Sequence, residues 1–208
     1  MTGMGDPGIL GMDARMVEDL KRLGNACAQK ARDGLVEVLN KEMRTEQTEC
    51  IYPPMYRIME QKVQRLPGLL IIGAADVKAE GRSRFILTLT KDTATALADL
   101  VRNTPVQIHR TLVGVDRDAL MKVTDLCMNG YISSICQFIG SSFTTTPPVM
   151  TFDMIEGTAP PSKIVQLIQG YDLMLETHFT DHLGKYQGGV IYLPDNTVQY
   201  NIFKRFDK

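Results

Sequence analysis

Two rows of polar side chains carry the most suggestive chemistry in this chain. In the first, Glu18, Arg22, Asn25, Gln29 and Arg32 follow one another at intervals of four, three, four and three. In the second, Asp118, Lys122, Asp125 and Asn129 repeat the first three of those intervals. Residues three and four apart are neighbours on a helix surface, so each row forms one outward strip. As a solvated face, such a strip gives Glu18–Arg22 and Asp118–Lys122 as i,i+4 ion pairs worth about 0.3–0.5 kcal/mol each. The same side chains also suit anion recognition. Charged Arg22 and Lys122 only donate, so they can hold a carboxylate or phosphoryl oxygen but cannot take a proton from water. Recurrence of the row at equivalent places is what favours a site.

The elements that must position these rows are legible from the apolar residues between them. Met16, Leu20, Leu23, Cys27, Ala31, Leu35 and Val38 recur every three or four residues, which predicts a helix from about Asp13, its N-cap, to Asn40. A second helical pattern runs from about Asp116 to Ile139 and stops at Gly140. Strands are expected at Leu69–Ile72, Ser83–Thr90, the VMTFDM stretch, LMLETHF and GGVIYL. Short helices follow Lys91-Asp92-Thr93, which supplies a turn and cap, and PDNT. Pro53 and Pro54 break the first half, and Pro160 and Pro161 lie in a loop of the second.

The two halves match. Leu20, Cys27 and Asn40 correspond to Leu120, Cys127 and Gly140, and RFILTLTKDT corresponds to GGVIYLPDNT about 104 residues later. The reading is an α/β (α+β) fold made by duplication. Residues 1–11 form a flexible leader. One domain over 12–208 then comprises repeats of about 12–105 and 106–208, whose strands join in a single pseudo-twofold sheet covered by the long helices.

Composition narrows the function. The 208 residues are 44% apolar and 23% charged, and 23 basic against 24 acidic residues leave a net charge of −1. That excludes wholesale disorder and gives no field for holding nucleic acid or an anionic membrane. There is no secretory signal and no spanning segment, so a soluble, cytoplasmic protein is expected. Cys27, Cys50, Cys127 and Cys136 form no C-x-x-C pair, and core packing is expected of those in helices. His178 and His182 flank Asp181, but their strand-like setting separates them by about 13 Å, so no metal site is assigned. No nucleotide-binding glycine motif or G-x-S-x-G elbow is present.

The segment TDLCMNGYISSICQFIGSSFTTTPPVMTFDM resembles the C-terminal repeat of the chemotaxis proteins CheC and FliY, and EDLKRLGNACAQ through VLNKE, with its Leu-Gly-Asn step, resembles the N-terminal repeat. The likeness spans residues 15 to 206, and the chain looks like a stand-alone CheC-type member of the CheC/CheX/FliY family. That resemblance implies a CheC-like fold and a role in dephosphorylating the response regulator CheY. A helix pattern of Asp or Ser, Glu four later and Asn three beyond places a water against the aspartyl-phosphate. Mg²⁺ is carried by the receiver, and no cofactor belongs to the chain itself. Here the pattern falls on Glu18, Arg22 and Asn25, and on Asp118, Lys122 and Asp125, so both glutamates are replaced by cations. Asn25 and Asp125 are then the candidate catalytic groups, with Glu18, Arg22, Gln29, Asp118, Lys122 and Asn129 as binding groups. Binding of a CheY-type receiver with weak or lost hydrolysis is preferred over an active phosphatase; CheD is a second implied partner.

Overall fold

The computed structural model describes residues 12–52, 68–78, 81–155 and 162–206. The expected leader and the Pro53–Pro54 and Pro160–Pro161 breaks lie outside these. Helix α1 (Ala14–Leu39) starts at Asp13, whose carboxylate accepts from the Met16 N–H at 2.8 Å, and ends at Asn40 in the left-handed region. Strands β1 (Met43–Thr45) and β2 (Glu49–Ile51) follow, then β3 (Gly68–Lys78), β4 (Arg82–Thr90) and α2 (Lys91–Val101). The second half supplies α3 (Gly114–Ile139), β5 (Thr144–Thr145), β6 (Val149–Ile155), α4 (Ser162–Ile168), β7 (Met174–Asp181), β8 (Gln187–Leu193) and α5 (Asn196–Phe206). Helices α1 and α3 span the same positions at a shift of 100.

The eight strands form one sheet in the order β1-β7-β8-β4-β3-β5, with β2 on β7 and β6 on β3. Exchanging the halves leaves this order unchanged, so a pseudo-twofold axis passes between β4 and β8. Those two pair antiparallel from Arg84–Leu193 to Leu89–Gly188. One face carries Ile71, Phe85, Leu87, Leu175, Val190 and Tyr192 against the long helices, and the other carries Leu70, Ile72, Ile86, Met174 and Ile191 beneath Ile164 and Ile168 of α4. Both faces are buried, which is why these strands read as continuous apolar runs rather than alternating ones.

On the helical face α1 and α3 cross antiparallel at Gly130. A methyl group there would stand 2.5 Å from the Lys30 carbonyl oxygen, so only glycine permits the approach. Cys27 and Cys127 are buried in this core, and burial pushes both thiols up to about 12, as expected of packing residues. Tyr131 stacks on Phe85 and Tyr192 with ring centroids 5.7 and 5.3 Å away, and its buried hydroxyl finds no hydrogen-bond partner among the described residues. Removing an unsatisfied buried hydroxyl relieves a desolvation cost of about 1 kcal/mol. Tyr131→Phe is therefore expected to raise the urea midpoint; a midpoint lowered by an equivalent amount would show that the hydroxyl is satisfied.

Three local details differ from the sequence reading. Helix α2 is capped by Thr90, whose hydroxyl faces the Thr93 N–H at 3.4 Å, rather than by the Lys91-Asp92-Thr93 turn. Helix α3 starts two residues before Asp116, because that carboxylate reaches back to the Val113 N–H at 2.7 Å. The loop after Pro161 contains the short helix α4.

Candidate functional site

Both polar rows face outward. Glu18, Arg22 and Gln29 on α1 are exposed, as are Asp118, Lys122 and Asn129 on α3, while Asn25 and Asp125 are half-buried at equivalent points. The burial pattern of residues 21–29 is reproduced over residues 121–129. Asn25 and Asp125 each lie five residues before the helix crossing at residues 30 and 130. Because the helices run antiparallel, the two rows are displaced by about 15 Å along the pair. They form two separate surfaces.

The first row is internally committed. Arg22 lies 3.8 Å from both Glu18 and Asp19. Asn25 accepts the Thr48 N–H through Oδ1 at 2.6 Å. Thr48 is fully buried, and its hydroxyl bonds that of Thr177 across to β7. Gly24 makes this possible, since a methyl group there would stand 2.5 Å from Thr48 Cγ2. The Leu-Gly-Asn step thus ties α1 to the segment between β1 and β2. It leaves Asn25 with its amide donors but an engaged oxygen.

The second row is uncommitted. The counterpart of Thr48 is Pro148, buried and without an N–H to give. Asp125 makes no hydrogen bond or ion pair with the described residues, and burial raises its pKa above the usual carboxylate value. Lys122 is likewise unpaired among them, so the expected Asp118–Lys122 ion pair does not form. Thr124 occupies the Gly24 position, bonds the Leu120 carbonyl and fits over Gly73 of β3, where a methyl group would stand 2.3 Å from its hydroxyl.

Other polar clusters are satisfied internally. In a cleft of about 360 Å³, Arg82 and Arg84 both bond Asp76, and Arg84 also donates to the Leu167 carbonyl at 2.7 Å. Arg110 joins the buried carboxylates of Asp99 and Asp116, a cluster the row analysis did not anticipate. His178 lies 3.3 Å from Glu176 on β7, and His182 is in the following turn. Among the described residues no group of three or more His, Cys, Asp or Glu side chains is placed to share a metal ion, and no helix is long and apolar enough to cross a membrane.

The eight-stranded sheet of two exchangeable halves under two antiparallel helices has the CheC-like fold. Thermotoga maritima FliY superposes with a TM-score of 0.66 at 11% identity, covering 95% of this chain and 98% of that one. CheX from Desulfovibrio desulfuricans gives 0.58 at 11% identity over 84% and 99% of the two chains. FliM from the Helicobacter pylori FliM–SpeE complex gives 0.65 at 9% identity over 93% and 97%. At such identities the likeness is one of fold. No family profile and no curated protein sequence matches the chain.

Proposed function

We propose that this chain is a cytoplasmic, CheC-like chemotaxis signalling protein that binds a phosphorylated CheY-type receiver and hydrolyses its acyl phosphate slowly or not at all. Chemotaxis proteins of the same fold support the pathway. The single domain of two repeats over 12–208 is part of this reading, with CheD as a second partner. One observation carries the loss of hydrolysis: on both exposed rows the position that must accept a water proton holds a cation, Arg22 or Lys122. An acyl phosphate is already reactive, so positioning a water supplies most of its acceleration, and a charged guanidinium or ammonium has no lone pair for that task. The Thr48 N–H takes one acceptor position of the Asn25 amide oxygen and fixes its direction, and Asp125 brings an anion toward an anionic phosphoryl group.

The test is a titration with the CheY-type receivers of the source organism, each loaded from a small-molecule phosphodonor, together with a phosphate-release assay. Saturable binding is expected, with release well short of the roughly 10²-fold acceleration a positioned acid–base group gives. Acceleration on that scale would make the chain an active phosphatase; no binding to any receiver would remove the reading altogether.

A further inference from the structure

We infer that the outward face of α3 binds a second copy of this chain, antiparallel about a twofold axis that crosses the helix between Val123 and Thr124. The row Asp118, Lys122, Asp125 and Asn129 is spaced four, three and four, which reads the same in both directions. It is also the spacing of the seam between two packed helices. Laid antiparallel on itself, the row meets residue for residue. Lys122 of each copy faces Asp125 of the other, and Asp118 faces Asn129. That makes two opposite-charge pairs and two carboxylate–amide contacts over about 17 Å of helix. One set of contacts used twice is the form of a twofold interface.

The α1 row shares the spacing but not the complementarity. Folded onto itself it sets Arg22 against Asn25 and Glu18 against Gln29, with no opposite-charge pair. Its groups are also taken, Arg22 by Glu18 and Asp19, and Asn25 by Thr48. On α3, Lys122 and Asp125 have no hydrogen bond or ion pair among the described residues. Asp125 is half-buried, which disfavours its charge, and an ammonium from a second copy offsets that cost. Two apolar side chains share the stripe. Val115 lies seven residues before Lys122 and Leu126 four after it, so both fall on the Lys122 side of the helix. They are 57% and 41% exposed, and their counterparts on α1 are Arg15 and Ala26. A helix laid along the row covers them together with the charges. Receiver binding is not needed for this pairing, and any ligand of the α3 row would compete with it.

The test is charge reversal, read by sedimentation equilibrium over a range of chain concentrations. The unmodified chain is expected to dimerise reversibly. Lys122→Asp and Asp125→Lys each set like charges face to face twice, and each is expected to weaken the dimer Kd about tenfold or more. Combining them exchanges the two charges and restores opposite pairs, so the double variant is expected within about threefold of the parent. Leu126→Asp is expected to weaken the dimer about tenfold, and Ala26→Asp, at the same place on α1, by less than about twofold. Far-UV circular dichroism and thermal melts establish that each variant folds. A chain that stays monomeric at millimolar concentration would overturn the inference. A dimer indifferent to the single reversals would overturn it by placing the contact elsewhere. A double variant as weak as either single would do so by showing that Lys122 and Asp125 do not face each other.

Discussion

Replacing Arg110 with alanine is expected to lower the unfolding free energy by about 3–5 kcal/mol, the cost of leaving a buried charge without its partner. The guanidinium bonds Asp116 at 2.6 and 2.8 Å and Asp99 at 2.6 and 3.0 Å. The two carboxyl side chains are only 1% and 3% exposed beneath it. Arg102 adds a bond to Asp116 at 3.0 Å, and the backbone N–H groups of Val113 and Gln107 fill further acceptor positions. The cluster joins the end of α2 to the start of α3 and so sets how one repeat follows the other. The Arg110 hydrogen bonds are the largest influence on Asp116 and hold it at about 2; at Asp99 burial pushes upward, but hydrogen bonds from Arg110 and Gln107 outweigh it. Folded values below the unfolded ones mean that this stabilisation is complete above about pH 4 and drains as the pH falls toward 2. Urea titrations across pH 2–7 should show that acid-side loss in the unmodified chain and its flattening or reversal in Arg110→Ala. A variant within about 1 kcal/mol of the parent at pH 7 would show the cluster to be dispensable.

Nothing in the sequence joins Asp99, Arg110 and Asp116, because Arg110 lies between α2 and α3 and only the turn between the repeats brings the three together. The long helices were legible for the opposite reason. Their apolar stripe and outward row are two faces of one local period, and tertiary packing merely selects which face is buried. Strand β3 was read as Leu69–Ile72 but continues to Lys78. Gly73, Ala74 and Ala75 have little strand propensity of their own; all three are held by pairing to β4, and Gly73 and Ala74 also by β6, with Gly73 kept small beneath Thr124. At the site, the rows and their outward direction were readable. The engagement of Asn25 by Thr48 was not, since it depends on a contact across 23 residues that Gly24 makes room for. Its absence in the second repeat follows from Pro148, a difference visible in the sequence but without meaning until Thr48 is seen donating.

That difference decides where hydrolysis can be restored. The double change Lys122→Glu with Asp125→Asn is expected to raise phosphate release from the receiver by about 10²-fold over the parent, the usual contribution of a positioned acid–base group. The first substitution would supply the missing acceptor for a water proton. The second would replace a carboxylate that repels the phosphoryl group, and with no Thr48-like donor from Pro148 the introduced amide keeps its oxygen available. Removing Lys122 also removes a cation from the exposed α3 row, so the gain belongs in kcat measured at saturating receiver, alongside a poorer KM. Arg22→Glu alone should give at least tenfold less, because the Thr48 N–H holds the oxygen of Asn25 in the α1 row. Adding Thr48→Pro to Arg22→Glu removes that donor and should recover part of the difference, provided thermal melts show the fold survives. Equal gains from Arg22→Glu and the α3 pair would mean that the Asn25–Thr48 bond imposes no constraint. No gain from the α3 pair, with receiver binding intact, would mean that the helix carries its row at the wrong distance from the acyl phosphate and that more than side-chain identity separates this chain from a phosphatase.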